Sequence, residues 1–360
     1  GESRDYPAGW PRQPWFENVA REHQAMRTDV GMYDMSSFGK IRVEGPDACA
    51  FLNRIAANQI DVEPGRIIYT QFLNRRGGIE ADVTVIRHSE TGFLVTVGAV
   101  ARVIVDNHLR RHLGDDRAVI TDVTPGEAML AVMGPKARDL LTSVSPDDFS
   151  NEAMPFGSAR EVEIGMGLAR VHRISYVGEL GWEVCVPSDM AAHVCEVLIE
   201  AGADHGLHLC GLHAMDSCRT EKAFRHFGHD ITPEDHVIEA GLGFAVPKDK
   251  TGYIGADAVA KKREAGMNQR LVQFLLTDPE PLLYHNEPIL RDGQVVGYLS
   301  TGSYGHTLGA AVGLGWVPCK GEDAATVLTS SYEIDVAGTR VAATASLKPM
   351  YDPKSERVKV

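Results

Sequence analysis

Apolar residues recur along this chain with two periods, and the switches between them mark out most of its elements. Phe16, Val19, Ala20 and Met26 form a helical stripe that predicts a helix over 15–30, closed by Gly31, with a strand at 40–44. Gly45-Pro46-Asp47 turns the chain into a helix over 48–57, with Asp47 as its N-cap ahead of Phe51, Leu52 and Ile55. Strict alternation then predicts strands at 66–73, 79–87 and 92–97, an antiparallel meander whose first turn is Asn74-Arg75-Arg76-Gly77-Gly78. A helix over 99–113, strands at 119–123 and 128–133, a short helix from 136, and strands at 159–164 and 167–175 follow. Helices are expected at 189–201, capped by Ser188, and at 211–227. Strands and helices mix without regular βαβ alternation, which favours an α+β fold over a doubly wound sheet. Beyond residue 270 the apolar runs shorten, at 271–277, 288–291, 294–303, 310–317, 325–328 and 332–336, punctuated by Gly, Asp and Pro. They predict a small all-β barrel or sandwich. The expected organisation is a lead-in at 1–15, a main region at 16–269 and a C-terminal β domain at 270–360.

Composition narrows the function classes. At 360 residues the chain exceeds the size of one hydrophobic core. Its 36 Lys and Arg against 49 Asp and Glu give a formal charge of −13, which opposes nucleic acid or an anionic membrane as partner. No apolar run is long enough to span a bilayer and no signal-like start is present, so the chain reads as soluble and unexported. Six cysteines without a CxxC pair suit reduced thiols in the cytoplasm or, in a eukaryote, the mitochondrial matrix. Neither G-x-G-x-x-G on a strand–helix turn nor a P-loop occurs, so no NAD or flavin site and no NTP site is expected.

Three constellations could carry chemistry. Asp82 interrupts a strand across the Gly-Gly turn from Tyr69; it is either an edge carboxylate bonded to nearby backbone or a catalytic group. Glu183 sits in the apolar run 182–186, either turned to water or paired with a flat heterocycle whose adjacent ring N–H and amino donors match a carboxylate. Arg219 and Glu221 lie too close in sequence for an i,i+4 pair, so Arg219 is either a ligand-facing cation or part of a solvated basic helix face. The histidines at 205, 208, 213, 226, 229 and 236, with Cys210 and Cys218, fit no metal spacing; ordinary histidines, a core Cys218 and no metal are expected.

Taken in order, Trp15-Phe16, Asp34 through Lys40, Tyr69-Thr70-Gln71, Asn74 through Asp82, Tyr176 through Glu183, Gly228-His229-Asp230 and Glu239 through Leu242 resemble the tetrahydrofolate-dependent aminomethyltransferases. This family includes the glycine cleavage T-protein and the C-terminal folate halves of dimethylglycine and sarcosine dehydrogenases, which the chain resembles most. The resemblance implies a three-subdomain cloverleaf around a central folate channel, with a C-terminal small β-barrel. It implies Asp82 as the catalytic aspartate, Glu183 as the pterin holder, Tyr69 and Tyr176 as pocket aromatics, and Arg219 as the arginine of an R-x-E helix. The activity it implies is capture of an iminium or formaldehyde unit from an N-methyl amine, such as dimethylglycine or sarcosine, to form 5,10-methylene-tetrahydrofolate. The alternatives are a stand-alone demethylase that uses an N-, O- or S-methyl donor and gives 5-methyl-tetrahydrofolate, and a folate-binding module without chemistry. Tyr6-Pro7-Ala8-Gly9-Trp10-Pro11 resembles the connector that follows the dehydrogenases' flavin domain. A flavoprotein dehydrogenase subunit or domain is therefore the implied partner.

Overall fold

The computed structural model describes residues 12–360, so the connector-like segment at 6–11 lies outside the described residues. The chain opens with α1 (Phe16–Thr28) and β1 (Val30–Asp34), then passes through β2 (Gly39–Glu44), α2 (Ala48–Ile55), β3 (Ile67–Leu73), β4 (Ile79–Arg87), β5 (Gly92–Val97), α3 (Arg102–Leu113) and β6 (Val119–Asp122). It continues with β7 (Glu127–Met133), α4 (Ala137–Ser143), β8 (Ala159–Ile164), β9 (Gly167–His172), β10 (Gly181–Pro187), α5 (Ala191–Gly202), β11 (Leu207–Leu209) and α6 (Leu212–Glu221). Last come α7 (Ala256–Ala265), β12 (Gln269–Leu276), β13 (Pro288–Arg291), β14 (Gln294–Gly305), β15 (Ala310–Pro318), α8 (Ala324–Thr329), β16 (Tyr332–Val336) and β17 (Thr339–Ser346).

These strands build two open sheets, β3-β4-β5-β2-β6 and β11-β1-β7-β10-β9-β8, and a closed barrel, β12-β15-β14-β13-β16-β17. The mixed α+β content and the C-terminal barrel agree with the expected fold class. The chain enters the six-stranded sheet at β1, builds the five-stranded one, then returns. Each open sheet buries one face under helices. Ala81, Val83 and Val85 of β4 pack with Phe51 and Leu52 of α2 and Leu109 of α3. Trp182, Val184 and Val186 of β10 pack with Leu140 of α4 and Leu198 of α5. Since side chains alternate along a strand, Asp82 and Glu183 are placed on the opposite faces. On the six-stranded sheet that face meets α1 and α6 through Met26, Met129, Cys185 and Cys218.

The Gly-Gly hairpin forms for a local reason. Asn74 Oδ1 accepts from Arg76 N and Gly78 N, at 2.9 and 3.0 Å, and Gly77 takes φ +81°. A Cβ on Gly78 would stand 2.0 Å from the Pro233 carbonyl oxygen, so only glycine lets the 230s segment lie against the turn. Asp82 is carried at a fixed distance from that anchored turn.

A buried ionic network joins the sheets to the barrel. Glu221, at the end of α6, accepts from Arg27 Nη2 at 2.8 Å and from the backbone N–H groups of Thr307 and Leu308 at 2.8 and 3.1 Å. His23 Nε2 stands 3.4 Å away. Arg27 also pairs with Glu179 at 3.1 Å, and Glu179 accepts from Tyr351 and Arg357 of the C-terminal tail at 2.5 and 2.6 Å. Buried charges are tolerable only when paired and hydrogen-bonded in this way.

Several expectations are corrected. The first helix stops at Thr28 because Val30–Asp34 is drawn into the six-stranded sheet between β11 and β7. Residues 325–328 lie within the helix α8, capped by Asp323, whose side chain accepts from Thr326 N. The helix expected over 211–227 ends at Glu221, and Ala223 takes φ +50° two residues later. Neither Asp47 nor Ser188 caps through its side chain: Asp47 instead binds Arg117 Nε at 2.8 Å, and Met190 holds the N-cap position of α5. α7 and β17 were not anticipated. No helix among the described residues is long and apolar enough to cross a membrane.

Removing Glu221 leaves Arg27 short of one of its two carboxylates, so Glu221→Ala is expected to lower stability by about 3–5 kcal/mol in urea unfolding. Burial alone would raise the Glu221 carboxyl, but His23 and Arg27 outweigh it and hold it at about 2, against an ordinary 4.5. Its contribution is therefore full above pH 4.5 and lost as pH falls toward 2. The acid limb of the stability curve should be shallower over that window in the variant.

Candidate active site

Asp82 lies mid-strand on β4, directly opposite Gln71 of β3. Gln71 Nε2 donates to Asp82 Oδ1 at 2.8 Å. Tyr69, two residues before Gln71 and so on the same face, acts on Asp82 through its hydroxyl and favours the ionised carboxyl. Burial pushes the Asp82 carboxyl up to about 6, against the lowering effects of Gln71, Tyr69 and the Arg225 guanidinium. A carboxylate tuned to that range can hold or release a proton near neutrality.

Tyr176 comes to this cluster from the loop after β9. Its hydroxyl donates to the Arg225 carbonyl at 3.0 Å, and its ring stacks on Phe224, with centroids 6.1 Å apart. Asp82 is among the charges that act on Tyr176, so the structure brings Asp82, Tyr69 and Tyr176 together. Phe244 stacks beside Tyr69 at 6.1 Å and is 74% exposed, an aromatic wall at the rim.

Arg219 is placed differently. Its Nε pairs with Asp216 at 2.6 Å, its Nη1 with Asp230 at 2.7 Å and its Nη2 with Thr301 at 3.1 Å, so the guanidinium is taken up inside the protein. The residue is buried, which removes the solvated basic face as a reading of this helix. The cation beside Asp82 is Arg225, six residues on, which sequence reasoning missed.

Glu183 is buried on β10, opposite His172 of β9. His172 Nδ1 stands 3.6 Å from Glu183 Oε2, beyond hydrogen-bond reach, and Oε2 has no hydrogen-bond partner among the described residues. Burial works against a charged His172, yet the Cys185 sulfur at 3.8 Å and the Glu183 carboxylate outweigh it and raise its pKa. Gln71 Oε1 is a second buried acceptor left unpartnered. Buried acceptors without a hydrogen bond also occur at Glu127 Oε2 and Glu287 Oε2, so it is the chemistry of these two, a carboxylate and an amide oxygen, that suits a ligand bringing N–H donors.

Residues 3–250 match the GCVT N-terminal domain model, and residues 269–352 match the glycine cleavage T-protein C-terminal barrel domain model. The chain belongs to the glycine cleavage T-protein family. Members of this family are enzymes that use tetrahydrofolate. The chain is 42% identical over its whole length to 4-methylaminobutanoate oxidase (formaldehyde-forming) of Paenarthrobacter nicotinovorans, covering 43% of that protein. It is 32% identical to mitochondrial sarcosine dehydrogenase of Homo sapiens over 99% of the chain and 40% of that protein. The chain thus spans about two fifths of the length of these two relatives. The crystal structure of glycine cleavage system aminomethyltransferase T from Bartonella henselae superposes with a TM-score of 0.83 over 96% of this chain and 92% of that one, at 24% identity, which establishes the T-protein fold.

The residues present fit the T-protein family's ligand. A reduced pterin presents adjacent ring N–H and amino donors, the complement of the unpartnered Glu183 oxygen, and the aromatic groups Tyr69, Tyr176 and Phe244 suit a flat, partly apolar molecule.

The tuning of Asp82 predicts two measurable effects. Turnover should fall as pH drops through about 6, with Gln71→Leu moving that limb upward because a donor that favours the ionised form is gone. A carboxyl raised on folding is destabilising once ionised, so its cost is absent below 3.8 and appears as pH rises through about 6. Asp82→Asn should therefore unfold at a higher temperature than the parent at pH 8, by about 1–2 kcal/mol in stability, and show no gain at pH 4.

Proposed function

We propose that this chain transfers a one-carbon unit, delivered as formaldehyde or an iminium from an N-methyl amine, to tetrahydrofolate, giving 5,10-methylene-tetrahydrofolate. The observation that carries the reading is the Asp82 carboxylate, held between Gln71 and Tyr69 at a pKa near neutrality. The printed names of the relatives, an oxidase that forms formaldehyde and a sarcosine dehydrogenase, support an N-methyl amine as the source. Because both are much longer than this chain, the partner in this reading is a flavin-bearing dehydrogenase subunit or domain.

Tetrahydrofolate supplies, when bound, two nucleophilic ring and bridge nitrogens that accept the one-carbon unit. Glu183 orients the pterin edge through a carboxylate whose Oε2 lacks a hydrogen bond within the protein. Asp82 keeps a negative charge where positive charge develops and takes up the proton released from nitrogen. Gln71 and Tyr69 hold that carboxylate in place as its proton load changes. Tyr176 and Tyr69 exclude water from around it. Arg219 serves this site indirectly, by fixing Asp216, Asp230 and the end of α6 beneath Tyr176.

The test is product identity by mass spectrometry, with tetrahydrofolate and N-methyl amines, with and without a flavoprotein dehydrogenase. Methylene-tetrahydrofolate that depends on the flavoprotein or on added formaldehyde is expected; methyl-tetrahydrofolate formed by the chain alone would overturn the reading. Asp82→Ala is expected to lose 100-fold or more in turnover, on the order of general-base catalysis together with charge stabilisation. Glu183→Gln should weaken tetrahydrofolate binding by roughly 10-fold or more, the scale of a charge-assisted hydrogen bond. Full turnover by Asp82→Ala together with tight folate binding would make the chain a binding module.

A further inference from the structure

Two guanidinium groups that bond mainly to backbone differ from the ion-paired ones: buried Arg173, whose Nη1 and Nη2 donate to the Met154 and Val360 carbonyls, and half-buried Arg225, which alone of the two acts on Asp82. Arg27, Arg87 and Arg219 each pair with a carboxylate, at 2.8, 2.7 and 2.7 Å. Arg225 forms no ion pair among the described residues, although burial already disfavours its charge. Its Nε donates to the Ala240 carbonyl at 3.0 Å and its Nη1 to the Ala223 carbonyl at 2.9 Å. These two backbone bonds fix the plane of the group. Nη2 lies over Gly241, where a Cβ would come within 2.6 Å of it, and Gly241 takes φ +72°. The backbone there is shaped to admit this guanidinium edge.

The acidic groups that act on Arg225 are Asp230 and Asp82, together with the phenol of Tyr69, which burial keeps neutral. Asp230 is already committed: Oδ2 accepts from Arg219 and from His226 N, and Oδ1 accepts from Ser300. Asp82 is held by Gln71 across the strand pair. The remaining donors of Arg225 are left without a carboxylate. An oriented, half-buried guanidinium with unspent donors is built to take a planar anion by two parallel hydrogen bonds.

We propose that Arg225 binds a carboxylate group of the ligand held at the Asp82 site, that of an N-methyl amino acid donor or that of the glutamate tail of tetrahydrofolate. The inference rests on the folate reading above. It adds that recognition at this site requires a carboxylate. A cation and an anion set side by side, Arg225 and Asp82, match a zwitterionic donor whose carboxylate and methylated nitrogen are close together.

The experiment is calorimetric titration of the full chain and its Arg225→Gln and Arg225→Lys variants with four probes: dimethylglycine, trimethylamine, tetrahydrofolate and the primary amide of tetrahydropteroic acid, which lacks the glutamate and carries no carboxylate. Arg225→Gln is expected to weaken either dimethylglycine or tetrahydrofolate by about 10-fold or more, while the carboxylate-free member of that pair changes by less than about twofold. Arg225→Lys should fall between, since it keeps the charge and loses the planar fork. A loss confined to dimethylglycine assigns the donor's carboxylate; one confined to tetrahydrofolate assigns the glutamate tail. Affinities unchanged by Arg225→Gln, or lowered equally within each pair, overturn the inference. Failure of the parent chain to bind either folate would overturn the functional reading itself.

Discussion

The carboxylate of Glu221 is the joint on which the molecule depends. Its side chain takes donors from α1 and from the loop between β14 and β15, and its backbone oxygen accepts from Gln273 of β12 and Tyr351 of the tail. Four segments far apart in sequence thus meet at one residue, the last of α6. That helix end is also where the chain turns toward Phe224 and Arg225, so the groups beneath Tyr176 inherit their position from the same joint. The desolvation of Glu221 and Arg27 is offset only by the completeness of their bonding, which makes the arrangement specific rather than merely stable.

Against that fully bonded network, the inward faces of the two sheets are left incomplete. Glu183 Oε2 and Gln71 Oε1 are buried without a hydrogen-bond partner among the described residues, Glu183 facing the His172 ring at 3.6 Å, and Arg225 has no carboxylate. Each of these costs free energy in the folded protein, and each is complementary to a group a folate or an amino acid would bring. In the proposed function these groups are completed by the ligand, whereas the Glu221 network is complete within the protein.

Local pattern made the meander and its chemistry readable. Alternation in 79–87 placed the carboxylate of Asp82 off the helix-covered face, and the Asn74 to Gly78 turn set the hairpin. The same parity rule points from Tyr69 to Gln71, the residue that stands directly opposite Asp82. The run at 325–328 misled because four apolar or small residues fit a strand or a helical turn equally well, and the Asp323 cap decided it. α7 went unseen because its sequence is mostly polar and small, with Val259 as its one buried residue.

The sequence by itself determined the α+β class, the C-terminal barrel, and which carboxylates stand out of place in their strands, because these follow from side-chain alternation and turn chemistry within a few residues. Only the tertiary structure decided which cations serve them. Arg219 and Arg225 are six positions apart in one basic stretch, and nothing local separates an arginine spent on Asp216 and Asp230 from one left beside Asp82. Likewise His172 meets Glu183 only because β9 and β10 pair in that register. Asp216 lies one helical turn before Arg219, but Asp230, Asp82 and Glu183 meet their basic neighbours only when separate segments pack, and the chain order of the residues does not encode that.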